Sequence, residues 1–242
     1  MNTDRVIIVT GAAGGMGKLI AERFLANGDT VIATDTSDEA LADLGGHERL
    51  HTIAADVSDQ AACEAVADLA RARGGQVDVL VNVAGWFPIQ PFEETSAEDF
   101  RKVVDINLTG VFLMIKAAWP LMKGRGWGRI VNIGSASIFE GVPDQIHYVS
   151  AKAGLLGLSR SLARAVGDEG VTVNVVTPGL TVTPPVKAKM PAEMLEASIK
   201  TRALKREEKP EDLVGAVFFL ASPDADFISG QTINVDGGKH MI

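Results

Sequence analysis

The chain has 242 residues, of which 46% are hydrophobic and 22% are charged, so it can bury a large core. Its formal net charge of -8 disfavours nucleic acid and anionic membrane surfaces as partners. The single cysteine, Cys63, excludes an internal disulfide and suits a reducing cytoplasm. The N-terminal apolar run is too short for a signal peptide, and we expect no later run to span a membrane. A soluble cytoplasmic protein is therefore predicted.

Short runs of β-branched residues alternate with longer helical patterns along the whole chain. The predicted strands are Val6–Thr10, Thr30–Thr34, His51–Ala54, Val79–Asn82, Gly128–Ile133, Val171–Val176 and Gln231–Val235. The predicted helices between them include Met16–Asn27, Ala61–Ala72, Ala97–Met122, His147–Val166 and Pro210–Ala221. Apolar strands that alternate with helices are typical of a parallel sheet covered on both faces. We therefore expect one α/β domain over residues 1–242, with a doubly wound parallel sheet of about seven strands.

One segment interrupts this alternation. Residues 181–206 are rich in proline, methionine and lysine, and they follow the end of a predicted strand. Ligands of open α/β sheets bind beyond the carboxyl ends of the strands. We therefore interpret this segment as a lid over the substrate.

A glycine-rich turn, Gly11-Ala12-Ala13-Gly14-Gly15-Met16-Gly17, joins the first predicted strand to a helix. Glycines at such a turn let the backbone approach a pyrophosphate, whose charge then lies at the helix N-terminus. Asp35 closes the second strand, where a carboxylate can bond the ribose hydroxyls of an adenosine and repel a 2′-phosphate. NAD is therefore favoured over NADP. The alternative is a structural turn with Asp35 as a capping residue.

Tyr148, the only tyrosine of the chain, stands one helical turn before Lys152. The two side chains therefore lie on one face of the predicted helix. An ammonium group at that distance lowers the pKa of a phenol from about 10 and makes it a usable acid and base near neutral pH. With Ser135 on a separate apolar segment, the pair predicts a hydride-transfer enzyme whose acid–base group is a phenol.

In order and spacing, these motifs resemble those of the short-chain dehydrogenase/reductase family over essentially the whole chain. The resemblance implies a Rossmann-type fold in which Ser135 orients the substrate oxygen and Tyr148 transfers the proton. It also implies that Lys152 binds the nicotinamide ribose and that Asn107 holds a water that links Lys152 to solvent. The cofactor-binding residues that the motifs imply are Gly11, Gly15, Met16, Gly17, Asp35, Asp56, Val57, Asn82, Ala84, Gly85, Tyr148, Lys152, Pro178, Gly179, Thr181 and Thr183.

The chain departs from the family pattern at Val83, where the family has a second asparagine. This departure puts a hydrogen bond that stabilises the sheet in doubt. It leaves the implied roles of Asn82 and Gly85 unchanged.

We expect an apolar pocket beside the catalytic residues, which favours a hydrophobic, aromatic or cyclic secondary alcohol and its ketone as substrates. The residues expected to line it include Trp86, Phe87, Ser137, Phe139, Val142, Pro185, Val186, Met190 and Met194. One alternative is a 3-oxoacyl-thioester reductase, although Asp35 counts against the NADPH that such enzymes usually use. A polyol or sugar dehydrogenase and a non-enzymatic dinucleotide sensor also stay open. No metal is assigned to the site.

The helix that begins near Tyr148 carries a row of small residues, namely Ala151, Gly154, Gly157 and Ser161. Small residues let a second helix approach closely. Together with the resemblance, this row predicts a homotetramer built from helix pairs and the final strand.

Overall fold

A parallel sheet of seven strands is the centre of the computed structural model, which describes residues 4–242 apart from the side chains of Pro184, Pro185 and Lys189. The strands are β1 (Val6–Thr10), β2 (Thr30–Asp35), β3 (Leu50–Ala54), β4 (Val79–Asn82), β5 (Gly128–Ile133), β6 (Val171–Pro178) and β7 (Thr232–Val235). Their order is β3-β2-β1-β4-β5-β6-β7, and every neighbouring pair is parallel. The predicted doubly wound α/β fold is confirmed.

Helices cover both faces of the sheet. They are α1 (Gly15–Ala26), α2 (Asp38–Ala42), α3 (Gln60–Gly74), α4 (Ala97–Val104), α5 (Gly110–Met122), α6 (Ser137–Glu140), α7 (Ile146–Val166), α8 (Pro184–Lys189), α9 (Ala192–Thr201) and α10 (Glu211–Leu220). On one face, Met114 of α5 and Leu155 of α7 are buried in the core. On the other, Phe24 of α1 and Val217 of α10 are buried. Because both faces are covered, the central strands are apolar throughout rather than alternating.

The strand order reverses at β1. Strands β2 and β3 extend the sheet on one side of β1, and β4 to β7 extend it on the other. The helices that follow β1 and β4 lie on opposite faces of the sheet, an arrangement that leaves a crevice at the carboxyl ends of the strands. Thr10 joins the two strand ends, since its Oγ1 accepts the N–H groups of Val83 at 3.0 Å and Ala84 at 3.1 Å. The backbone at Val83 is thus held by a hydroxyl from β1.

The predicted helix Ala97–Met122 contains a π-helical turn, Asp105–Thr109, between α4 and α5. By length and mean hydropathy (1.3) this stretch could cross a membrane, so the expectation that no stretch is long enough was wrong. The core helix of a non-membrane protein satisfies the same criteria. Here Met114, Ala118 and Met122 are fully buried in the core, so the stretch is weak evidence for a membrane.

Candidate active site

The glycine-rich turn after β1 is packed too tightly for side chains. Gly11 has a φ of +64°, and a Cβ at this position would lie 2.8 Å from Cα of Ala84. A Cβ on Gly17 would lie 2.1 Å from the carbonyl oxygen of Gly11. The N-cap of α1 is Gly14, which supplies no side-chain hydrogen bond, and the first helical turn has no acidic residue. The N-terminal N–H groups of α1 therefore suit an anionic pyrophosphate.

Asp35 faces this turn from the end of β2. Its Oδ2 accepts the N–H of Ala13 at 3.0 Å, and its Oδ1 accepts the N–H of Thr36 at 2.8 Å. Helix α2 is capped by Ser37, whose Oγ accepts the N–H of Ala40 at 3.1 Å, so Asp35 does not serve as that cap. A half-buried carboxylate beside a glycine-rich turn fits the adenosine ribose of a dinucleotide whose pyrophosphate lies at α1.

Tyr148, Lys152 and Ser135 meet at the carboxyl edge of the sheet. Lys152 Nζ lies 5.7 Å from the centre of the Tyr148 ring and donates to the carbonyl oxygen of Ile133 at 2.9 Å. The Ser135 hydroxyl interacts with the Tyr148 phenol. The structure therefore brings together an ammonium, a phenol and a hydroxyl donor, which is the set that proton transfer to a substrate oxygen requires.

Burial dominates the protonation of the Tyr148–Lys152 pair. It raises the pKa of Tyr148, and the hydrogen bond with Ser135 offsets only part of that rise. Burial also lowers the pKa of Lys152 from 10.5 to about 8. In the chain alone, desolvation thus moves the pKa of Tyr148 in the direction opposite to the one expected from its spacing to Lys152.

Asn107 is fully buried in the π-helical turn between α4 and α5. Its Nδ2 donates to the carbonyl oxygens of Trp86 at 2.7 Å and Val103 at 2.9 Å, and its Oδ1 accepts the N–H of Trp86 at 3.2 Å. A Cβ on Gly85 would lie 2.8 Å from this Oδ1 and 3.5 Å from Lys152 Nζ, so Asn107 adjoins the cluster of Ser135, Tyr148 and Lys152. Both N–H bonds of the Asn107 amide therefore donate to backbone carbonyls of the chain. A relay water would have to donate a hydrogen bond to Oδ1 or to a backbone carbonyl.

The chain between Thr181 and Glu208 begins and ends beside the glycine-rich turn. Thr181 and Glu208 form a parallel β-bridge, and Thr181 Oγ1 lies 2.6 Å from Glu208 Oε1. The Thr183 methyl group would lie 3.5 Å from a Cβ on Gly15, so the start of segment 181–206 faces the N-terminus of α1. Arg202 lies 3.6 Å from Glu208 in a buried ion pair. Sequence reasoning missed Glu208 and Arg202, because charged residues in a Lys- and Glu-rich segment resemble ordinary surface residues.

The remaining cofactor-binding candidates occupy the ends of β3, β4 and β6. Asp56 is exposed after β3, with its Oδ1 accepting from Ser58 at 2.9 Å and 2.7 Å, whereas Val57 is buried. Asn82 closes β4 and donates to Asn132 Oδ1 at 2.8 Å. Pro178 closes β6, and Gly179 donates its N–H to the carbonyl oxygen of Val235 at 3.1 Å. The candidates therefore share one edge of the sheet.

The candidate pocket residues come from separate segments. Phe87, after β4, has its ring centre 6.0 Å from that of Tyr148. Trp86 lies beneath the ammonium of Lys102, at 4.9 Å from the ring centre. In and after α6, the ring of Phe139 lies 5.8 Å from that of His240 and Val142 is half-buried. Val186 and Met190 are half-buried and Met194 is exposed, all three in segment 181–206, whereas the Pro185 side chain lies outside the described residues.

His147 immediately precedes Tyr148 in α7. Its side chain is fully buried, and its Nδ1 accepts the backbone N–H of Tyr148 at 2.8 Å. The structure therefore gives His147 a buried packing position within α7 rather than the position of a second base in the pocket.

Comparison with known proteins finds similarity along the whole chain. A family model described as Enoyl-(Acyl carrier protein) reductase matches residues 11–240. The chain is 37% identical over 242 residues to the 3-oxoacyl-(acyl-carrier-protein) reductase FabG of Escherichia coli (strain K12), with 98% of each chain covered. It is 37% identical over 245 residues to the protein of the same name from Vibrio cholerae serotype O1, with 100% of each covered.

A solved structure is similar as well. It is titled short-chain dehydrogenase/reductase SDR: glucose/ribitol dehydrogenase and comes from Brucella melitensis. It matches with a TM-score of 0.92 at 36% sequence identity, covering 98% of this chain and 97% of that chain. The seven-stranded sheet and the helices around it are therefore shared along the full length.

Proposed function

Because the chain belongs to the short-chain dehydrogenase/reductase family, we propose that it reduces 3-oxoacyl thioesters, and oxidises the corresponding 3-hydroxyacyl thioesters, with NAD(H). The protein is an NAD(P)-dependent oxidoreductase that acts on CH–OH donors. The observation that carries the proposal is the cluster of Ser135, Tyr148 and Lys152 in a chain similar throughout to reductases named for 3-oxoacyl substrates. We also propose that residues 1–242 act as one catalytic unit whose segment 181–206 is a lid over the substrate.

The chemistry divides between the cofactor and the chain. A nicotinamide at these strand ends would supply or accept the hydride and, when oxidised, add a positive charge beside the phenol. Ser135 donates its hydroxyl proton in a hydrogen bond to the substrate oxygen. Tyr148 passes its proton to that oxygen during reduction and takes it back during oxidation. The Lys152 ammonium, fixed by the Ile133 carbonyl, stabilises the phenolate that remains after reduction.

The proposed preference for NAD rests on the Asp35 carboxylate. In an Asp35→Asn variant, Oδ1 of the amide can still accept the Ala13 N–H, but the negative charge that repels a 2′-phosphate is gone. We expect the ratio of kcat/KM for NADPH to that for NADH to rise by about tenfold, ~1.4 kcal/mol. Steady-state kinetics with both cofactors measures this ratio.

Asp38→Asn is the matched control for Asp35→Asn. Asp38 is exposed in the first turn of α2, so its loss removes an equal charge near the same edge of the sheet. An unchanged ratio in Asp35→Asn, or an equal rise in Asp38→Asn, would remove Asp35 from the ribose site.

A hydrophobic secondary alcohol, the substrate first favoured from the sequence, is the second candidate. The contact between Phe87 and Tyr148 supports it, as do Trp86 and Ile89, which are 39% and 71% exposed on the same segment after β4. Such an apolar rim suits either an acyl chain or an aryl group. Polyol substrates have less support, because Glu140 pairs with Lys239 and Gln145 donates to the Phe87 carbonyl.

A substrate panel separates these candidates. We expect kcat/KM with NADH to be at least about tenfold higher for a short 3-oxoacyl thioester than for aryl ketones or for the ketose partners of polyols, ~1.4 kcal/mol of transition-state discrimination. The panel includes the coenzyme A and acyl-carrier-protein forms of the thioester. A clear preference for aryl ketones would favour the second candidate instead, while activity on none of them would contradict both.

We also propose a cytoplasmic homotetramer. Of the four small residues of α7, Ala151 is buried within the chain. Gly154 packs against Leu108, because a Cβ on Gly154 would lie 2.8 Å from Leu108 Cδ2. Gly157 and Ser161 are exposed, and a Cβ on Gly157 would meet no atom within 4 Å. These two positions leave room for the close approach of a second helix.

A further inference from the structure

Ser137 lies next to the proposed catalytic hydroxyl. Its Oγ is 2.8 Å from the Oγ of Ser135, and its backbone N–H donates to that same Ser135 oxygen at 3.2 Å. Ser137 is the first residue of α6, and both serines are half-buried. Within the described residues, Ser135 Oγ is the hydrogen-bond partner that the structure gives to the Ser137 hydroxyl.

The two contacts restrict what Ser135 can do. A serine hydroxyl has one proton to donate and two lone pairs that accept. The Ser137 N–H occupies one of the Ser135 lone pairs. When the Ser137 hydroxyl also donates, it occupies the second, and the remaining capacity of Ser135 is donation alone.

A Ser135 hydroxyl restricted to donation is the group that the reaction needs. Negative charge develops on the substrate oxygen when hydride arrives at the carbonyl carbon, and on the Tyr148 oxygen when the proton leaves it. A donor fixed before the reaction stabilises such oxygens without reorganisation. The hydrogen bond with Ser135 acts to lower the pKa of Tyr148, which is the direction expected when Ser135 donates to the phenolate oxygen.

We infer that Ser137 is a positioning residue, whose hydroxyl donates to Ser135 Oγ and thereby directs the Ser135 proton at the oxygen that gains negative charge. This inference rests on the proposed function, since it assigns Ser135 and Tyr148 to the same substrate oxygen. It gives Ser137 a role apart from lining the pocket, and it requires no contact between Ser137 and the substrate.

The test compares Ser137→Ala with Ser137→Thr. In Ser137→Ala, we expect kcat for ketone reduction to fall about tenfold, the effect of one hydrogen bond of ~1.4 kcal/mol, with little change in KM. The midpoint of the pH profile for alcohol oxidation should move upward by roughly half a unit to one unit, because the phenolate loses part of its stabilisation. Ser137→Thr keeps both the hydroxyl and the N–H, so it should restore kcat and the pH profile.

Controls separate this inference from the proposed function. Ser150→Ala removes an exposed hydroxyl from α7 and should leave the kinetics unchanged. Ser135→Ala should lose most activity, and full activity in that variant would contradict the proposed function itself. If Ser135→Ala is inactive while Ser137→Ala retains the parent kcat and pH profile, the inference alone is overturned. A change confined to KM, or a Thr variant as impaired as the Ala variant, would overturn it too.

Discussion

Tyr148→Phe should retain the fold and lose about 10²- to 10⁴-fold in kcat, the usual contribution of a positioned acid–base group. The substitution removes only the phenolic oxygen. The ring that packs near Phe87 stays, and the bond from Lys152 to the Ile133 carbonyl does not involve the phenol. Steady-state reduction of the best panel substrate at saturating NADH gives kcat, and fluorescence titration gives the Kd for NADH.

The control for this variant is Ser150→Ala on the same helix, which should keep the parent kcat. Tyr148→Phe should bind NADH within a few-fold of the parent, so that the loss lies in the chemical step. Parent-like activity in Tyr148→Phe would show that another group transfers the proton.

Gly17→Ala should disrupt both stability and cofactor binding. A Cβ at this position would lie 2.1 Å from the Gly11 carbonyl oxygen, which is backbone and cannot move without displacing the turn. Overpacking of this kind costs about 1–3 kcal/mol. In a protein of this size, each kcal/mol lowers Tm by about 2–4 °C. The displaced turn also moves the N–H groups that would meet the pyrophosphate, so the Kd for NADH should rise at least about tenfold.

Gly14→Ala is the matched control from the same turn. A Cβ on Gly14 would lie 3.4 Å from the same Gly11 carbonyl oxygen, an ordinary contact, and Gly14 is exposed. Differential scanning fluorimetry of the two variants should therefore show a marked decrease in Tm for Gly17→Ala and a small change for Gly14→Ala. Equal Tm values would contradict the packing argument.

The sequence predicted the sheet well because the strands are continuous apolar runs. β1, β4 and β5 begin and end at the predicted residues. Such runs identify strands buried on both faces, and burial on both faces in turn requires helices above and below. The second strand was predicted to span Thr30–Thr34 with Asp35 at its end, and β2 extends one residue further, to Asp35.

The local details of the site were beyond sequence reasoning. The π-helical turn at Asn107 leaves the apolar pattern of the long helix nearly intact, so periodicity does not reveal it. The short helices α8 and α9 lie in segment 181–206, where proline and lysine obscure a helical pattern. The raised pKa of Tyr148 depends on how completely the fold buries the phenol, and the spacing to Lys152 carries no such information.

The bridge between Thr181 and Glu208 lets the segment between these residues change during evolution without a change in the sheet. The chain leaves the sheet at Thr181, forms α8 and α9, and returns to the same point at Glu208. When the two ends of a loop are held together, the loop can change in length or in sequence at small entropic cost. The strands beneath it need not shift. Substrate preference can therefore diverge within α8 and α9 while the hydride-transfer machinery below is inherited unchanged.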